Sequence, residues 1–315
     1  HIASRYPDDK VGIVVAQVVK GRVPGVRNLK EIESDLREWD RSVAAVPNVD
    51  AVIIHPYVLS EKRFIERVLD ESLDVERLQG FHNRIDDVRW RWLFACAQEV
   101  PGLYLDHVRN RFPGKSAWIT ESGLSEDKEK DDHYDQQSMR RVLFNLSYFT
   151  TWMRRYPEWE TMLFHGLFSG KGHMAAYGPR LGQNANFLSH AYLARLLNNA
   201  KQVGYLDIEG GPTYKGAGEY ATTDVRALNG LYISSNGGYR RILLINTGPR
   251  GAEVRLPFAI RARLVTSAEA LQPVSEIEPL VASYDGSGTR GPDRLWVPPF
   301  SVILVSDTHG DLADL

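Results

Sequence analysis

Two sequence patterns follow one another in this chain, and their order limits the architecture more than any single motif. Short apolar or β-branched runs at 11–16, 49–57, 116–121 and 161–168 read as strands. Helical spacing follows each of them. Leu36, Trp39 and Val43 mark a helix over 29–45, an aromatic-rich helix spans 88–98, and a further helix leads to 110. A strong helix is expected over 134–155 and an amphipathic one over 186–199. Strands alternating with helices predict a parallel sheet. Residues 59–84 read as an insertion with short helices, and 125–132 as a solvated charged loop.

From about Gly204 the alternation stops. Short strands at 231–234, 241–246, 252–256, 263–267 and 295–306 are separated by turn residues. Asn236-Gly237-Gly238 between two apolar runs is a hairpin signal. An all-β sandwich is the expected architecture. The fold class read from the chain is therefore α/β plus all-β, with an α/β domain over 1–203 and a β-sandwich over 204–315.

Bulk properties remove several functional classes. A length of 315 residues suits about two domains. The formal net charge of -2 gives no reason to expect a nucleic-acid surface, and no run approaches the ~18 apolar residues of a membrane span. The single cysteine, Cys96, cannot form an intramolecular disulfide. It stands among Trp92, Leu93, Phe94 and Ala97 and reads as a buried structural thiol. No Cys/His cluster has zinc spacing, so neither a metal nor a cofactor is expected.

The residues that carry chemistry gather at strand ends. Trp118-Ile119-Thr120-Glu121-Ser122-Gly123 runs a buried strand into a carboxylate at the mouth of a turn. The C-terminal ends of parallel strands are where a (β/α)8 barrel keeps its catalytic groups. A glutamate there, suitably paired, can cleave a glycosidic bond; the plain alternative is a solvated or salt-bridged loop glutamate. His55-Pro56-Tyr57 ends the preceding strand, and His165 ends the following one. His55 and Tyr57 either line the site or are polar residues at a rim, and His165 either binds a sugar hydroxyl or belongs to the core. The Gly-rich loop 169–177 offers His173 and Tyr177 for substrate contact and lacks the Gly-Lys-Ser/Thr of a phosphate loop. Trp118 reads as core rather than as a sugar platform. Thr-Glu-Ser-Gly-Leu does not fit the nucleophile-elbow pattern G-x-S-x-G.

Taken in order, His55-Pro56-Tyr57, Trp118-Ile119-Thr120-Glu121 and Phe164-His165-Gly166 resemble the C-terminal part of retaining glycoside hydrolases of clan A. So do the later runs Arg240-Arg241-Ile242-Leu243-Leu244-Ile245-Asn246-Thr247 and Val297-Pro298-Pro299-Phe300-Ser301-Val302. The arabinofuranosidase, β-xylosidase and heparanase-like families, which join a (β/α)8 barrel to a C-terminal β-sandwich, are the nearest. The resemblance covers nearly the whole chain. It implies that the four strands are the fifth to eighth of a barrel and that Glu121, on the seventh, is the nucleophile of a double displacement. His55 and Tyr57 would then be the donors that keep the nucleophile ionised.

The same resemblance implies a general acid/base glutamate, usually in an Asn-Glu pair, at the end of a fourth strand that is not in this chain. A full barrel has eight strands and about 250 residues, and half a barrel exposes an open sheet edge. The N-terminal half is therefore expected from a separate polypeptide or a segment outside this sequence. A carbohydrate is the expected substrate, and a secreted or periplasmic location suits degradation of a polysaccharide. The alternative is a non-catalytic carbohydrate-binding protein with a degenerate glycosidase barrel.

Overall fold

The computed structural model describes residues 10–14, 29–47, 49–58, 82–124, 138–163, 185–267, 280–283 and 291–308. Residues 59–81 of the insertion expected over 59–84, the charged loop at 125–132 and the end of the fourth strand beyond 163 lie outside the described residues, and 82–84 begin a long helix. The chain divides into two compact units, one of residues 1–89, 96–128 and 155–165, the other of 90–95, 129–154 and 166–315.

The first unit holds β1 (Gly12–Val14), α1 (Leu29–Ala44), β2 (Ala51–Ile54), β3 (Tyr57–Val58), most of α2 (His82–Arg111), β4 (Ser116–Ile119), β5 (Gly123–Leu124) and β6 (Trp159–Met162). Strands β1, β2, β4 and β6 form a parallel sheet in that order, each strand adding beside the last. Ala51-Val52-Ile53-Ile54 has no polar residue, as an inner strand covered on both faces requires. In β4 the pleat alternates instead: Ala117 and Ile119 are fully buried, while Ser116 and Trp118 face the other way and are half-buried.

Trp118 lies across the neighbouring strands. A Cβ on Gly12 would come within 2.6 Å of its ring, so only glycine fits at that point of β1. The indole Nε1 donates to Glu160 Oε2 at 3.1 Å, and Lys10 Nζ lies 3.0 Å from both oxygens of the same carboxylate. These bonds, the indole one first, hold the Glu160 carboxyl below its ordinary 4.5. A lowered carboxyl contributes stability above its unfolded pKa and loses it as pH falls through the folded value. Glu160→Gln is therefore expected to cost less than about 1 kcal/mol at neutral pH, because the pair is screened by solvent. The gap to wild type should close as the pH drops below the carboxylate range, which denaturant midpoints of both proteins between about pH 7 and pH 3 check.

Four expectations change in this unit. The strand expected over 49–57 breaks at His55-Pro56 into β2 and β3. The two helices expected between 88 and 110 are one helix of 30 residues that runs through Pro101. Proline removes one backbone bond there, yet Ala97, Val100, Tyr104 and Leu105 continue a buried face across it, and tertiary packing holds the helix together. The described part of the fourth strand starts earlier than expected, at Trp159, because Trp159 pairs with Ala117. Trp39 does not share the buried face of α1: it is 52% exposed and donates its indole N–H to the Val14 carbonyl, whereas Val43 and Asp40 are buried. Cys96 is buried in α2, in line with a structural thiol.

The second unit contains α3 (Met139–Arg154), α4 (Ala185–Leu197) and the antiparallel strands. These are β7 (Ala200–Tyr205), β8 (Thr213–Lys215), β9 (Asp224–Arg226), β10 (Leu228–Ser235), β11 (Arg240–Asn246), β12 (Ala252–Arg255), β13 (Ala262–Ser267), β14 (Leu280–Ser283), β15 (Arg294–Val297) and β16 (Ser301–Ser306). Helix α4 ends two residues before Asn199, whose left-handed φ of 56° turns the chain into β7. Six strands form one sheet in the order β14-β13-β16-β11-β10-β7. The hairpin expected at Asn236-Gly237-Gly238 joins β10 to β11.

One face of the sheet places Leu228, Ile242, Leu244, Ile303 and Val305 against Leu295 and Val297 of the separate β12–β15 ribbon, giving two layers. Helices α3 and α4 pack on β7, β10 and β11. Helix α3 is accordingly buried almost all round, Asn145 of the Asn145-Leu146-Ser147 sequon included. The single strand expected over 295–306 is two strands, β15 and β16. Pro298 and Pro299 supply no N–H, and Phe300 turns the chain with φ 47°. Among the described residues no helix is long and apolar enough to cross a membrane.

Candidate active site

The sheet of the first unit loses its pairing at one place and recovers it immediately. Ile54 of β2 pairs with Ile119 of β4, and Tyr57 of β3 pairs with Gly123 of β5. Between these pairs His55 and Pro56 stand against Thr120, Glu121 and Ser122, so one side carries an extra residue, as in a β-bulge. The return to pairing depends on Gly123, whose φ of 129° is closed to residues with a side chain. The glycine two residues after the glutamate is thus a backbone requirement of this break.

The break aims three side chains at one another. Tyr57 donates its hydroxyl to Glu121 Oε2 at 2.9 Å. His55 Nδ1 lies 3.8 Å from the same oxygen. The other ring nitrogen, Nε2, is 2.9 Å from Thr120 Oγ1. Glu121 is 34% exposed and His55 20%, so the carboxylate is held by the protein and still open to a solute. Glu121 Oε1 has no hydrogen-bond partner among the described residues. Such an arrangement anchors one carboxylate oxygen and presents the other, which suits nucleophilic attack.

Of the residues singled out from the sequence, Glu121, His55 and Tyr57 therefore meet. His165, His173 and Tyr177 lie outside the described residues. Trp118 points to Gly12 and Glu160, a packing position. Thr120 was not anticipated. In a regular strand neighbours face opposite sides, so a residue adjacent to Glu121 is expected to point away from it. The extra residue in the break lifts that rule. The signal for it lay in the two strand ends together, since His-Pro and Thr-Glu-Ser are unequal connections between paired strands.

A scan of protein-family models and a search of curated proteins find no match to this chain. Solved structures do match. A family 51 α-L-arabinofuranosidase from Bifidobacterium longum aligns over 97% of this chain and 60% of its own, with a TM-score of 0.67 at 14% identity. A GH51 arabinofuranosidase from Xanthomonas axonopodis pv. citri aligns over 86% of this chain and 55% of its own, with a TM-score of 0.60 at 15% identity. A thermostable GH51 α-L-arabinofuranosidase from Thermotoga petrophila RKU-1 aligns over 98% and 59%, with a TM-score of 0.57 at 11% identity. The chain spans between 55% and 60% of the length of these three enzymes. What it shares with them is the fold of the aligned part, a mixture of α/β and β-sheet structure.

Proposed function

We propose that this chain carries the nucleophile side of a retaining glycoside hydrolase active site. The observation that supports this most directly is Glu121, at the end of the third of four adjacent parallel strands, with one oxygen held by Tyr57 and the other without a partner among the described residues. In the proposed double displacement this second oxygen attacks the anomeric carbon and the aglycone departs. Water then hydrolyses the glycosyl ester. On this reading residues 1–203 are strands five to eight of a (β/α)8 barrel and 204–315 the sandwich. The acid/base is a glutamate outside this chain, about 5–5.5 Å from Glu121 in the working enzyme. Likeness to arabinofuranosidases makes arabinofuranosides the first substrates to try.

The test avoids the need for an acid. Activated 2-deoxy-2-fluoro glycosides carry a leaving group that departs without protonation, and their fluorine slows hydrolysis of the ester. Arabinofuranosyl, xylosyl and glucuronyl versions are incubated with the full chain and followed by intact mass and peptide mapping. The expected result is one added glycosyl group, on Glu121. No adduct from any of the three, with sugar binding retained, points to the non-catalytic carbohydrate-binding reading instead.

A further inference from the structure

The imidazole of His55 bridges two consecutive residues of the neighbouring strand. Nε2 meets the Thr120 hydroxyl at 2.9 Å, and Nδ1 faces Glu121 Oε2 at 3.8 Å. A neutral imidazole carries one N–H and one lone pair, so two arrangements exist. If Nε2 holds the proton, it donates to Thr120 and the lone pair of Nδ1 faces the carboxylate. If Nδ1 holds it, the N–H faces the carboxylate and Nε2 accepts the proton of the threonine hydroxyl. Only the second sets opposite partial charges against each other at both ends of the ring. At 3.8 Å the Nδ1 contact is electrostatic and too long for a hydrogen bond.

We infer that Thr120 is a positioning residue: its hydroxyl donates to His55 Nε2 and so holds the ring in place in the Nδ1–H form that the carboxylate favours, with that N–H turned to the anchored oxygen of Glu121. A hydroxyl serves either form of the ring, so the carboxylate selects where the proton sits and Thr120 holds the ring at the lone pair this leaves on Nε2. Its meaning for turnover rests on the glycosidase reading. There, Tyr57 and the Nδ1–H together engage Oε2 and leave Oε1 as the attacking atom. The chain places Thr120 next to Glu121 with both side chains turned to β2–β3 only because of the extra residue in the break.

Long-range proton–nitrogen correlation spectra of the full chain labelled with 15N-histidine test this directly, since pyrrole-type and pyridine-type ring nitrogens separate by shift and coupling. Spectra are taken well above the ordinary imidazole pKa of about 6.5, and His55 is assigned by its loss in His55→Gln. The expected wild-type pattern is a pyrrole-type Nδ1 and a pyridine-type Nε2. Thr120→Val should move the pyridine-type Nε2 signal toward the position of a ring nitrogen that accepts no hydrogen bond, and Thr120→Ser should restore the wild-type pattern. Unmoved signals from the other histidines report that each variant is folded. A dominant Nε2–H form in the wild type, two pyrrole-type nitrogens, or a Thr120→Val spectrum superimposable on wild type would each overturn the assignment. No sugar is present, so failure of the trapping experiment removes the glycosidase reading without touching this result, and the reverse holds too.

Discussion

Glu121→Gln is expected to lower kcat/KM toward activated aryl glycosides by at least about 10⁴-fold and to leave the fold intact. That factor corresponds to about 5.5 kcal/mol of lost transition-state stabilisation. The amide keeps the size of the side chain and can still accept the Tyr57 hydroxyl, but it is a poor nucleophile toward the anomeric carbon. Stability should change by no more than about 1 kcal/mol, because a third of the side chain is exposed and its one short bond is to Tyr57. Initial rates and a denaturant titration on the same preparation separate the two effects. Glu121→Ala gives a further discrimination. With the carboxylate gone, added azide should enter the vacated space, recover part of the turnover and yield a glycosyl azide of inverted configuration. Full activity in Glu121→Gln, or azide recovery with retained configuration, removes Glu121 from the role of nucleophile.

What was legible in the sequence follows from how local each signal is. An apolar run that ends in Thr-Glu-Ser-Gly announces a strand end because burial, a carboxylate and a backbone demand for glycine coincide within a few residues; the φ of 129° at Gly123 is that demand in the structure. The Asn-Gly hairpin and the order of strands were local in the same sense. The failures involve partners distant in sequence. The sequence between 88 and 110 reads as two helices, yet packing on both sides of Pro101 sustains α2 as one. The run from Leu295 to Ser306 reads as one strand because its apolar residues are nearly continuous. Its first part pairs with β12 and its second with β11 and β13, so the chain must turn at Phe300. Thr120 was hidden by strand alternation, which holds only while the ladder keeps an equal count on both strands.

The two late sequence runs that resemble sandwich strands of clan A enzymes, 240–247 and 297–302, are joined by one side chain, and its removal should give the largest loss of stability among these variants. Asn246 is fully buried at the end of β11. Its Nδ2 donates to the carbonyls of Arg250 at 2.9 Å and Pro298 at 2.8 Å, and its Oδ1 accepts the Gly248 N–H at 2.9 Å. The turn after β11 is thereby tied to the turn between β15 and β16. Trp90 packs on the same junction, donating to the Thr247 carbonyl at 2.8 Å with its ring edge-on to Phe300. Asn246→Ala leaves the Gly248 N–H and the Arg250 carbonyl without this partner, while the Pro298 carbonyl keeps the Ser301 hydroxyl at 2.7 Å, and it opens a small void. At about 1–3 kcal/mol for each stranded buried group, less where water reaches the Arg250 carbonyl, the expected cost is roughly 3 kcal/mol. Asn246→Asp should cost at least as much, since it removes both donors and sets carboxylate oxygens against two carbonyls. Urea midpoints at constant m-value measure both. A cost below about 0.5 kcal/mol for Asn246→Ala, the level of an ordinary surface change, would mean that the turns are held by strand pairing of β11 with β16 alone.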